Sequence, residues 1–185
     1  MKLKSKVYNI RTTLFTILIL TIITESLAQS DNEEESIKRN NIVLTIGHAL
    51  IPTGEEPGDS KNLTTVPTWA LSYEYRFSPG FILGLKSELE MSNYIIVDDE
   101  GTALERDYPI SLTLYAGFTI LKGWCLYAGP GIEFERDKNL YTATVGTLYE
   151  FELPGDWSLV PEMSYTLKGG HTGAYAIGLG VCKSF

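Results

Sequence analysis

The sequence predicts an all-β fold, a closed eight-stranded antiparallel up-and-down transmembrane β-barrel, and three observations support this prediction. From about residue 41 onward, apolar residues recur with a period of two, which is typical of strands. Tight-turn signals alternate with longer connections along the chain. Large aromatic residues flank the tight turns and end the chain, and such rings favour membrane–water boundaries. We therefore expect an aromatic girdle at one rim, formed by Phe77, Phe81, Trp124, Phe151, Trp157 and Phe185.

The first 28 residues predict a secretory signal peptide. Four basic residues precede an apolar run at 14–23, and Ser26 and Ala28 supply small side chains for cleavage. An uncleaved anchor is the alternative, but the apolar run is shorter than the ~20 residues that span a bilayer. We interpret 29–41 as a disordered acidic periplasmic tail and 42–185 as the barrel.

The charge balance argues against one class of partner. The chain carries 15 Lys and Arg against 23 Asp and Glu, a net charge of −8, and removal of the basic leader makes the remainder more acidic. Phosphate backbones require a basic surface. We therefore expect no nucleic-acid binding.

Eight strands follow from the alternation and the turns. Their predicted lengths cover the ~9–11 residues that a tilted strand needs to cross a bilayer. Residues of equal parity pair across the turns at 78–80 and 154–156, whereas the turn at 122–123 requires a β-bulge. The predicted strands are 42–51, 68–77, 81–92, 108–121, 124–136, 140–153, 157–168 and 172–185.

Side-chain volume predicts which face of the sheet points inward. An eight-stranded lumen is only wide enough to be filled by side chains, so the bulky apolar face must contact lipid. A soluble lipocalin-like barrel, with the opposite orientation, is the alternative. The inward face carries glycines, small residues and a predicted lumenal charge network of Glu74, Arg76, Lys86, Glu88, Glu133, Glu135, Glu150, Glu152, Glu162 and Lys168.

The strand count, the short-turn rim and the ending Val181-Cys182-Lys183-Ser184-Phe185 resemble small outer-membrane barrels of the OmpX/OmpA type. The segment Gly129-Pro130-Gly131 with its neighbours 132–135 is also similar to Bacteroidetes-type barrels of unassigned function. The resemblance implies a Gram-negative, porin-like membrane protein in the cell outer membrane. It also implies contact with outer-membrane lipid and lipopolysaccharide, and recognition of the last strand by the barrel-assembly machinery.

Three functions remain open from the residues. The lumenal charges favour a structural ion-pair plug, which fits a structural or interaction role such as envelope integrity, adhesion or surface contact, with no catalysis. A surplus of carboxylates would also suit a narrow transporter or channel for small solutes or cations. His171 beside Thr172 offers weak support for a lipid A-modifying enzyme, a hydrolase, although the pattern of the deacylase type is missing.

Other candidate sites are weaker. His48 and His171 lie near one rim and could bind a metal with nearby carboxylates, but their spacing favours two solvated side chains, so we expect no metal and no cofactor. The acidic stretch 98–101 could bind Ca²⁺ weakly. Cys125 and Cys182 face the lumen on strands too far apart for a disulfide, and we expect two free thiols.

Overall fold

The computed structural model describes residues 38–53, 62–97, 103–135, 138–169 and 172–185. The predicted leader and most of the predicted acidic tail lie outside these residues. Among the described residues, no helix is long and apolar enough to cross a membrane. The strands in this part of the chain are β1 Asn40–Thr53, β2 Asn62–Ser78, β3 Phe81–Glu90, β4 Asn93–Val97, β5 Ala103–Asp107, β6 Ile110–Leu121, β7 Trp124–Phe134, β8 Leu140–Tyr149, β9 Phe151–Leu153, β10 Trp157–Lys168 and β11 Thr172–Ser184.

The wall is a closed antiparallel sheet in the order β11-β1-β2-β3-β6-β7-β8-β10, and β10 pairs with β11 to complete the circle. The short strand β9 continues β8 after a break at Glu150 and pairs with β10 in the same register. Because β8 and β9 form one interrupted wall strand, the wall has eight strands. The predicted fold class is confirmed.

The two faces of the wall differ as predicted. Leu114, Phe118 and Ile177 are 50, 58 and 62% exposed on the outer surface. Lumenal positions such as Ser72, Thr113 and Ala174 are buried. Bulky apolar side chains thus cover the outside, while small and charged side chains fill the inside. This arrangement suits a surrounding of lipid and is the reverse of a soluble barrel.

Two irregularities occur at the short turns. The register shifts between Thr119 and Leu121, which places the predicted bulge beside the turn at 122–123. A second shift between Arg76 and Ser78 was not predicted, because the parity of the flanking residues agreed without one. Beyond the shift, Tyr75 pairs with Leu83 as expected. We call this end of the barrel the turn end, and the opposite end the loop end.

The loop end differs from the prediction. Within the predicted long loop 93–107, the described strands β4 and β5 pair as a separate two-stranded sheet, which we call the hairpin. β6 begins at Ile110 rather than at 108. The strands β1 and β2 extend into the other predicted loop and pair out to Thr53 and Asn62. At the turn end, β1 begins at Asn40, so the predicted tail 29–41 overlaps the first strand by two residues.

Candidate functional site: the charged lumen

Ionisable side chains and their hydrogen-bond partners lie at three levels of the lumen. The loop-end cluster consists of Glu90, Tyr94, Arg106, Glu133, Glu135 and Lys168. The middle cluster consists of Lys86, Glu88 and Glu162, and the turn-end cluster of Glu74, Arg76, Tyr115, Glu150 and Ser158. Alternation along the wall strands directs most of these side chains inward. Tyr94 and Arg106 are exceptions, because they come from the hairpin.

Arg106 of β5 is the central cation of the loop-end cluster. Its side chain is 1% exposed, and its guanidinium donates two hydrogen bonds to Glu133, one of them 3.0 Å long. It also donates to the Lys138 carbonyl oxygen at 2.7 Å and lies 3.7 Å from Glu135. A planar guanidinium suits such multiple bonding. Arg106 therefore fastens the hairpin to β7.

Lys168 and Tyr94 complete this cluster. The Lys168 ammonium pairs with Glu90 and lies 2.8 Å from Glu133. The Tyr94 hydroxyl donates to Glu90 and accepts a hydrogen bond of 3.0 Å from Lys168. The Lys168 ammonium also lies 5.5 Å from the centre of the Tyr94 ring, a cation–π distance. Tyr94 is therefore a second link between the hairpin and the wall.

The middle cluster contains one cation between two carboxylates. The Lys86 ammonium donates a hydrogen bond to Glu162 and lies 3.4 Å from Glu88. All three side chains are at most 19% exposed. One carboxylate at this level is therefore in excess over the bases.

The turn-end cluster is built from wall strands alone. Arg76 donates a hydrogen bond of 2.9 Å to Glu150, which accepts another of 3.0 Å from Ser158. The Tyr115 hydroxyl donates to Glu74 at 2.6 Å. The Arg76 and Glu150 side chains are 28 and 21% exposed, so solvent reaches this pair far more than it reaches Arg106.

Apolar side chains separate the turn-end cluster from the middle cluster. On β10, Val160 lies between Ser158 of the turn-end cluster and Glu162 of the middle cluster. Val160 packs with Val43, Leu148 and Cys182, and Ile82 packs with Leu148 and Cys125. Tyr127 contributes its ring, which covers the small Gly146. Both thiols are buried and free.

A small chamber lies between the middle and loop-end clusters. Its volume is about 30 Å³. Its walls combine charged side chains with many hydroxyl groups, and Tyr115 and Tyr127 line it as well. The polar lining residues are Lys86, Glu88, Glu90, Ser111, Thr113, Glu133, Thr142, Thr144, Ser164, Thr166 and Lys168.

The structure places nine of the ten predicted charges within these clusters. Glu152 is the exception: it is exposed at the turn end, because β9 carries it beyond the ion pair of Glu150. Four important residues were missed. Glu90 has the parity of Lys86 and Glu88 and could have been found, and Tyr115 could have been placed by alternation. Tyr94 and Arg106 gave no periodic signal, because they belong to the hairpin.

The six aromatic residues of the predicted girdle lie at the turn end of the barrel. Phe77, Phe151 and Trp157 are 54, 50 and 46% exposed at the turn end. The ring centres of Phe77 and Phe81 lie 5.7 Å apart, and those of Trp124 and Tyr149 lie 5.4 Å apart. The Lys183 ammonium lies 5.4 Å from the Trp157 ring and 6.0 Å from that of Phe185.

The predicted histidine pair has only one member in the described part of the chain. His48 is exposed on the outer face, between Pro67 and Ile177, whereas a site with the loop carboxylates would require it at the rim. His171 and the acidic stretch 98–101 lie outside the described residues. Within the described residues, no group of three or more His, Cys, Asp and Glu side chains could hold a metal ion.

These features define a class of protein: a small transmembrane β-barrel with a filled polar lumen. The Neisserial surface protein A is similar in structure, with a TM-score of 0.51 and 12% identity over 79% of this chain and 97% of that one. Ail of Yersinia pestis aligns with a TM-score of 0.46 and 14% identity, over 80% of this chain and 99% of that one. No protein-family model and no curated protein matches the sequence.

The likeness to Neisserial surface protein A shows the fold, that of a small eight-stranded outer-membrane β-barrel. The resemblance to the OmpX/OmpA type is thereby confirmed at the level of fold. The resemblance to Bacteroidetes-type barrels stays a prediction.

Proposed function

We propose that this protein is a non-catalytic barrel of the Gram-negative outer membrane that makes contacts at the cell surface through its β4–β5 hairpin. The observation that carries the proposal is the attachment of this hairpin to the lumen by Arg106 and Tyr94. A hairpin fixed at two buried points is a rigid support for exposed side chains. Surface contact needs such a support and no catalytic group.

The outer-membrane location is supported by the predicted leader, the lipid-facing wall and the aromatic rim. The turn end would face the periplasm and the hairpin the exterior, because small barrels carry short periplasmic turns and longer external loops. Among solved structures, a similar one is a surface protein by name. Outer-membrane lipid, lipopolysaccharide and the barrel-assembly machinery are the partners that this location implies.

The lumen supports a role other than transport. The apolar side chains above the turn-end cluster and the buried ion pairs at the loop end leave a chamber of about 30 Å³. That volume holds about two waters. We therefore expect purified protein in planar bilayers to show no stable conductance. Reproducible cation-selective steps would favour the narrow channel instead.

The hairpin presents side chains that a partner could contact. Ile95 is 40% exposed on β4, and Glu105 and Asp107 are exposed on β5. A triple variant, Ile95→Ser, Glu105→Ser and Asp107→Ser, should abolish adhesion of cells that display the protein to host-cell or abiotic surfaces while leaving the barrel folded. A matched control replaces three exposed turn-end residues, with Lys122→Ser, Leu153→Ser and Glu152→Ser.

Three results would contradict the proposal. Equal adhesion by cells carrying the hairpin variant and cells carrying the control would show that the hairpin does not make the surface contact. Altered lipid A on thin-layer chromatography, in cells with the protein compared with cells without it, would favour a lipid-modifying enzyme. If deletion sensitises cells to detergents and the hairpin variant rescues them fully, the role is envelope integrity without surface contact.

A further inference from the structure

The middle cluster, which borders the chamber, has one base, Lys86, for two carboxylates. Lys86 serves two carboxylates and is hydrogen-bonded to Glu162, whereas Glu88 lies at the longer distance of 3.4 Å. Glu88 also lines the chamber. Excess negative charge inside a membrane-spanning barrel is costly. The lumen is therefore more stable when a positive charge joins Glu88.

Neutral oxygens lie on the neighbouring wall. Gly131 pairs with Thr113 on one side and with Thr142 on the other. A Cβ at residue 131 would lie 2.8 Å from the Thr113 hydroxyl and 2.6 Å from that of Thr142, so both hydroxyls overhang the glycine. Thr142 is 6% exposed, and its buried hydroxyl has no hydrogen-bond partner among the described residues. Buried hydroxyl groups normally have a hydrogen-bond partner, so a bound ion or water is expected beside this oxygen.

We propose that the chamber binds one monovalent alkali cation, with Glu88 as the charged ligand and Thr142 as a neutral one. Hard cations prefer oxygen ligands of this kind. One carboxylate in excess matches one positive charge, and the volume of about 30 Å³ accepts an ion with one water. The hairpin cluster lies on one side of this chamber, and the apolar side chains packed around Cys125 and Cys182 lie on the other.

The first test measures thermal unfolding of the full barrel in detergent micelles, in sodium, potassium or choline chloride at equal ionic strength. Choline is too large for the chamber. We expect sodium or potassium to raise the melting temperature by about 2–4 °C over choline, as a ligand adding roughly 1 kcal/mol would. Equal melting temperatures in all three salts would overturn the proposal.

Two variants assign the ligands. Glu88→Gln should make unfolding independent of the cation. Thr142→Val should raise the half-saturating salt concentration about tenfold, the loss expected for one oxygen contact. Thr68→Val is the matched control, since Thr68 is a buried lumenal residue outside the chamber lining. An equal effect of Thr68→Val and Thr142→Val would contradict the site.

The second test locates the ion directly. Crystals grown with thallous acetate, in which Tl⁺ replaces K⁺, should show an anomalous peak beside Glu88 and Thr142. The competing outcome is a lumen without a bound ion: unfolding would then show no alkali dependence, and the crystals would show no peak. That combination would overturn the proposal.

Discussion

Each end of the lumen holds an arginine–glutamate pair, but the two pairs differ in burial and in the elements that supply them. At the loop end, the paired side chains of Arg106 and Glu133 are each 1% exposed, and the cation comes from a hairpin outside the wall. At the turn end, Arg76 and Glu150 are 28 and 21% exposed, and both come from wall strands. At the loop end, the contact that buries the ion pair also attaches the hairpin to the wall. At the turn end, the Arg76–Glu150 pair joins wall strands to each other and holds no hairpin.

Replacement of Arg106 should have the largest effect. Arg106→Met leaves Glu133 without its guanidinium partner, and breaking a buried pair from one side costs about 3–5 kcal/mol. We expect that loss in the free energy of unfolding, measured with urea in detergent micelles, and rapid chymotrypsin cleavage at Tyr94. Lys122→Met is the control, because Lys122 is exposed. If the loss of unfolding free energy is no larger than in the control and Tyr94 stays protected from cleavage, the Arg106–Glu133 pair does not attach the hairpin.

Two tyrosines, Tyr94 at the loop end and Tyr115 at the turn end, donate hydrogen bonds to lumenal carboxylates. Tyr94→Phe and Tyr115→Phe each remove a hydrogen bond to a charged group, so each should cost about 1.5–3 kcal/mol. Only Tyr94→Phe should speed hydrogen exchange of β4 and β5. Tyr141→Phe, at a residue 82% exposed, is the control. Equal exchange in both buried variants would show that the hairpin does not depend on Tyr94.

Arg76→Met should have a smaller effect than Arg106→Met. Solvent reaches the Arg76–Glu150 pair, so the cost falls between that of a surface pair and a buried pair, about 1–2 kcal/mol. Proteolysis of the hairpin should not change. Urea unfolding of both variants, compared in the same detergent, gives the ranking, and the reverse order would show that exposure does not set the cost.

The smallest effect is expected at the turn-end rim. A hydrogen bond from Lys38 holds the pKa of the exposed Asp156 below its usual value of 3.8. A lowered pKa stabilises the fold above the usual value, and this contribution is lost as the pH falls through the folded-state pKa. Asp156→Asn should therefore flatten the dependence of unfolding on pH only below about pH 4. Unchanged pH curves in the variant would exclude a contribution from this contact.

Alternation predicted the wall because each wall strand has a lipid face and a lumenal face. It could not predict the loop-end cluster, because Arg106 and Tyr94 come from a hairpin whose place over the lumen depends on tertiary contacts. Volume reasoning also excluded bulky lumenal residues too strictly. Tyr115 fits inside because Gly84 leaves room beside its ring: a Cβ at residue 84 would lie 2.5 Å from the Tyr115 hydroxyl.

The seam of the wall joins the beginning of the chain to its end. β1 pairs with β11 from Asn41–Ser184 to Leu50–Tyr175, and the amide of Phe185 donates to the Asn40 carbonyl oxygen at 2.8 Å. β1 precedes β11 in the chain, so one edge of β1 has no neighbour until β11 has been synthesised. An open edge invites pairing with other chains. The wall therefore cannot close until β11 is available to pair with both β1 and β10.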